Sequence, residues 1–137
     1  MRNMRVLLSV AALANYAVTV WHAYLAEKVN PALPVEEAVR IAAIAGALTL
    51  AGLVLLWTQR QKLGSLVLIV VFVVGLVIGS AEHLFVAGPN NVFDVSNGDW
   101  AAPFKISVWM LLFLEVAGLS AAGRMLAARS RGRATVA

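Results

Sequence analysis

The stretch Ser107–Gly123, SVWMLLFLEVAGLSAAG, decides how this chain is read. It is apolar on both sides of a single carboxylate, Glu115. With its flanks it runs from Phe104 to Leu126, which meets the roughly 20 residues a helix needs to cross the hydrocarbon of a bilayer. Glu115 then falls near the midplane. An ionisable side chain costs at least about 2.5–3.5 kcal/mol there and marks a candidate functional position.

Three further runs of the same kind precede it: Val6–Ala26, Ile41–Trp57 and Leu63–Ala81. Each is continuous rather than alternating, so the pattern excludes a membrane β-barrel and predicts helices. The expected fold is an all-α, four-helix transmembrane bundle forming one domain over residues 1–137, with helices near 5–26, 36–58, 63–84 and 103–127. Composition agrees. The chain is 61% hydrophobic, where a soluble domain is about half apolar. It contains no cysteine, which excludes disulfides, thiolate metal sites and thiol redox chemistry.

The first run follows Arg2 and Arg5, and Ala12-Leu13-Ala14 has the look of a signal-peptidase site. The apolar run continues past Ala14 to Trp21 and Tyr24, so a retained helix is expected.

Charge predicts orientation. Arg2, Arg5, Arg60, Lys62, Arg124, Arg129, Arg131 and Arg133 fall on one side of the expected bundle, against Lys28, Arg40 and Lys105 on the other. Cytoplasmic segments are enriched in Lys and Arg. Both termini are therefore expected in the cytoplasm of a multi-pass plasma (inner) membrane protein. The net charge of +4 is read as this topology signal, together with attraction to anionic headgroups, and not as nucleic-acid binding. The Arg-rich tail has no aromatic side chains for base stacking.

The connections differ in kind. Thr58-Gln59-Arg60-Gln61-Lys62 is a tight turn. Pro34-Val35-Glu36-Glu37 reads as a helix start, with acids at the positive end of the helix dipole. The outer segment Leu84–Pro103 is long and carries a predicted β-turn at Gly88-Pro89-Asn90-Asn91, followed by Val92, Phe93, Val95 and Trp100. That composition predicts a loop folded over the outer end of the bundle; the plainer reading places Phe93 and Trp100 at the headgroup interface.

Helical spacing groups the polar residues. Asn15, Thr19 and His22 share a face of helix 1, Glu115 and Gly118 a face of helix 4, and Gly75, Gly79 and Glu82 a face of helix 3. Small residues mark close helix contacts in membranes, so both Glu82 and Glu115 are expected to point into the bundle. A rise of about 1.5 Å per residue puts Asn15, Thr49 and Glu115 at one depth near the midplane. His22, Glu82 and His83 fall nearer the outer edge, with Thr19 between the tiers.

Three functions of different classes fit these features. The leading one is binding or transport of a small ligand or ion along a polar path open to the outer face, lined by Glu115, Asn15, Thr49, Thr19, Glu82, His22 and Trp109. Its structural counterpart is that Glu115 only bonds Asn15 or Thr49 and ties helices together. The second is a redox protein in which His22 and His83, with or without Glu82, ligate haem iron or a transition metal. Adjacent Glu82 and His83 point about 100° apart on a regular helix, so both reach one centre only if the helix changes course there. The third is an accessory subunit docking on itself or on a membrane partner through Gly- and Ala-rich faces. No phosphate-binding Gly loop, nucleophile elbow or dinucleotide fingerprint is present, so an enzymatic role is not expected.

Overall fold

The computed structural model describes residues 2–32 and 34–134, with side chains through residue 128. Among these residues the chain forms four α-helices and no strand: α1 (Arg2–Val29), α2 (Val35–Trp57), α3 (Gln61–Ser80) and α4 (Ala101–Ala134). All four helices are long and apolar enough to span a membrane. Their outer faces carry large exposed hydrophobics such as Leu7, Val10, Leu50, Val54, Val77 and Phe113, as expected of surfaces that face acyl chains rather than water. The side chains of Arg129, Arg131 and Arg133 lie outside the described residues.

Helix α2 begins after Pro34, with Glu36 and Glu37 in its first turn. Glu37 forms an exposed pair with Arg40 at 3.9 Å. At the other end of α2, Thr58 closes the tight turn: its hydroxyl donates to the Leu55 carbonyl at 2.9 Å and accepts from Arg60 N–H at 3.2 Å. This turn is tight because Gly64 lets α3 touch the backbone of α2; a Cβ there would collide with the main chain of Gly52, Leu55 and Leu56.

Helix α3 ends differently from the sequence expectation. Residues Ala81–Phe85 form a π-helical turn, closed by Val86 N–H donating to the Ala81 carbonyl at 2.8 Å. A π turn holds about one residue more than an α turn. Residue 83 therefore faces inward where regular spacing predicts residue 82. The segment expected to be loop from Leu84 to Pro103 is shorter at both ends, because Leu84 and Phe85 belong to this turn and Ala101–Pro103 to α4.

The remaining connection, residues 86–100, folds back on the bundle. Asn91 N–H donates to the Gly88 carbonyl at 3.0 Å, forming the turn that Gly88-Pro89-Asn90-Asn91 predicts. Gly88 has φ 154°, a conformation L side chains rarely adopt. The buried Asn91 braces the loop from inside, donating to the Val86 carbonyl and accepting from Phe93 N–H, both at 2.9 Å. Val92 and Val95 are buried against Leu25, Ala26, Phe104 and Val108, whereas Phe93 and Trp100 stay exposed. The apolar residues of the loop thus divide between a buried pair and an exposed pair.

The core comes in two clusters. One, near the α2–α3 turn, joins Leu8, Ala11, Ala12, Leu56, Leu68, Phe72, Ala121, Ala122 and Met125. The other lies under the 86–100 loop and contains Leu25, Ala26, Val92, Val95, Ala101, Phe104 and Val108. Between them the buried side chains turn polar.

Candidate functional site

The gap between the two apolar clusters holds Asn15 on α1, Thr49 on α2 and Glu115 on α4, which are 6%, 3% and 4% exposed. Helix register puts them at one level. His22 meets Ser107 near one end of the α1–α4 pair, and Leu8 clusters with Ala121 and Ala122 near the other. That antiparallel register sets Asn15 opposite Leu114 and Glu115. Likewise a Cβ at Gly46 of α2 would meet Tyr16, which places Thr49 within a turn of Asn15. Helix α3 contributes space rather than a polar group. A Cβ on Gly75 would collide with the Glu115 carboxyl, and a Cβ on Gly118 with the Phe72 ring. Gly75 makes room for the acid, and Phe72 packed on Gly118 forms the floor beneath it.

Two acceptor atoms at this level are buried and have no hydrogen-bond partner: Asn15 Oδ1 and Glu115 Oε2. A buried unsatisfied polar group costs about 1–3 kcal/mol. Each is on a different helix, and both need a donor. Thr19 does not supply one. Its hydroxyl donates to the Asn15 main-chain carbonyl at 2.9 Å.

Toward the loop end the pattern reverses, and polar atoms find partners. His22 lies on the same face of α1 as Asn15. Its Nδ1 is 2.9 Å from Ser107 Oγ, and Ser107 itself donates to the Phe104 carbonyl at 2.7 Å. With the serine proton committed, its oxygen accepts from His22 Nδ1–H. His83 Nδ1 lies 2.8 Å from the Asn90 main-chain carbonyl, which can only accept, so this ring also carries its proton on Nδ1. The two imidazoles touch edge to face with centroids 4.7 Å apart, and Phe104 packs on both, at 5.1 and 5.9 Å.

Three expectations need correction. Glu82 is exposed and does not point into the bundle; the π turn gives its inward position to His83, which lies beside Gly79. The His22, His83 and Glu82 triad is therefore not assembled, and no group of three or more His, Asp or Glu residues suited to a metal occurs among the described residues. Trp109 is 52% exposed and faces away from the interior rather than lining a path. Ser107, Phe104 and Asn90 were not singled out from sequence. For Ser107 a signal existed, since it is the one hydroxyl in the first half of α4 and lies two helical turns from Glu115 on the same face.

A concavity of about 410 Å³ opens between α1 and α2 and is walled by Tyr16, Val20, Tyr24, Val35 and Val39, with Glu27 also in its lining. It is mostly apolar and does not include the buried acid. Comparison of the chain with protein-family models, with curated proteins and with solved structures finds no match.

Proposed function

We propose that this is a small multi-pass membrane protein that binds a small cation or hydrogen-bond-donating ligand at Glu115 and Asn15, and passes it toward the face that carries the 86–100 loop. The observation that supports this reading is the pair of buried acceptors without donors, Asn15 Oδ1 and Glu115 Oε2, at one level of the bundle. A bound proton, ammonium-type cation or polar ligand supplies the missing donors and relieves both at once. A column of polar side chains leads from the loop end to this level: His22, Thr19 and Asn15 on α1, Ser107 and Glu115 on α4. Gly75 leaves room for the Glu115 carboxyl, and Phe72 packs on Gly118 within one turn of it.

In this proposal the arginine-rich end faces the cytoplasm and the loop faces outward, in a plasma (inner) membrane. The chain has no cysteine, so this orientation is testable by single substitutions. Ser96→Cys is expected to react with an impermeant maleimide added outside intact cells, and Gln59→Cys only after lysis; the reverse pattern overturns the orientation.

Ligand binding is tested by infrared spectroscopy of the purified protein with ammonium and guanidinium as probes. Binding is expected to perturb a carboxyl band that Glu115→Gln removes, and Asn15→Leu is expected to weaken it about tenfold, one lost interaction of about 1.4 kcal/mol. If Glu115→Gln binds the probes as well as the unaltered chain does, the reading is wrong.

A further inference from the structure

We infer that His22 and His83 form a second site, which binds one late first-row transition-metal ion, copper or zinc, through their Nε2 atoms. Both rings are locked in the tautomer that leaves Nε2 with its lone pair. His22 gives its Nδ1 proton to Ser107 Oγ, and His83 gives its own to the Asn90 carbonyl. Metal-ligating histidines are oriented in this way, by a hydrogen bond from the other ring nitrogen to a carbonyl or similar acceptor. These two ring hydrogen bonds both use Nδ1, which leaves Nε2 as the atom open to a metal ion.

The rings arrive from separate elements, α1 and the π turn after α3, and the loop that supplies Asn90 fixes one of them. Their separation indicates the kind of centre. With metal–nitrogen bonds of about 2 Å, two imidazoles trans on one iron hold their centroids about 6 Å apart, and two at a tetrahedral angle about 5 Å. The observed 4.7 Å suits neighbouring ligands on one ion and is too short for opposite faces of a haem. Imidazole donors without thiolate or carboxylate favour copper, zinc or nickel over magnesium, calcium or manganese. Glu82 is exposed, so the chain supplies two ligands and leaves the other positions to water or an incoming ligand. Structural zinc sites use four protein ligands. A two-histidine site is therefore an exchangeable one.

This site does not depend on Glu115. The test uses the untagged full-length chain in detergent, stripped with chelator and titrated calorimetrically with Cu²⁺ and Zn²⁺. One ion per chain is expected, with X-ray absorption reporting two imidazole nitrogens. His22→Ala is expected to lower affinity at least about 100-fold. Ser107→Ala keeps both ligands but frees the His22 ring, and is expected to cost about 10-fold, at the lower end of the effect of losing such an orienting bond. Glu115→Gln is expected to leave metal affinity unchanged. Absence of binding in a chain whose circular dichroism shows it folded overturns the proposal. So does binding that survives His22→Ala and His83→Gln, or an absorption spectrum without imidazole.

Discussion

The two polar tiers of the bundle are built from similar residue types and are finished in opposite ways. At the loop end, His22 bonds Ser107, which bonds the Phe104 carbonyl, and His83 separately bonds the Asn90 carbonyl, all at 2.7–2.9 Å. In the middle, Asn15 Oδ1 and Glu115 Oε2 are equally enclosed and have nothing to accept from. The first arrangement stabilises the fold, because each hydrogen bond contributes about 0.5–1.5 kcal/mol and none of the Nδ1 protons is left over. The second weakens it. The proposed ligand site rests on this cost: leucine at either position would fill similar space without an unsatisfied acceptor.

Replacement experiments can break that contrast. The largest effect is expected from Gly75→Val, which drives a side chain into the space occupied by the Glu115 carboxyl; overpacking of this kind costs about 1–3 kcal/mol, read as a lowered thermal midpoint, and ligand binding at Glu115 is lost with it. His83→Ala removes one of the bonds that tie the loop to the bundle and opens a cavity beside Phe104. A loss of about 1–3 kcal/mol is expected, concentrated in residues 86–100 when hydrogen exchange is followed. Glu115→Leu is expected to act in the other direction, raising stability by about 1 kcal/mol while abolishing binding of cationic probes. A destabilised Glu115→Leu protein would mean that the acid is structural and would remove the distinction between the tiers. Ser107→Ala should cost about 1 kcal/mol and release the His22 tautomer, visible in the nitrogen shifts of the ring. Smallest of all, Glu82→Gln is expected to change stability by less than about 0.5 kcal/mol, because this carboxylate is exposed. A larger effect would place Glu82 back in the site.

Much of the middle tier was legible in the sequence. Continuous apolar runs identify spans without any tertiary knowledge, and inside such a run the spacing of Glu115 from Gly118, or of Asn15 from Thr19 and His22, states which side chains share a face. Small residues opposite them, such as Gly75, complete the pattern. The loop end was less legible because its geometry depends on main-chain events. Regular 3.6-residue spacing sends Glu82 inward and His83 aside, and only the hydrogen bond from Val86 to Ala81 reveals the extra residue that exchanges them. The carbonyl of Asn90 carries no sequence signature as an acceptor, since every residue has one. Trp109 illustrates a different ambiguity. An aromatic a few residues inside a span packs equally well against lipid or against a pocket, and composition does not choose between them.

His83 fastens the loop twice. Its ring donates to the Asn90 carbonyl, and its own carbonyl accepts from Val92 N–H at 3.0 Å. A third bond, Asn30 Nδ2 donating to Asn90 Oδ1 at 3.5 Å, ties the same turn to the residue that follows α1. Lifting residues 90–92 off His83 would free the imidazole and draw Val92 out of the apolar cluster, so the order of the loop and the exposure of the ring are linked.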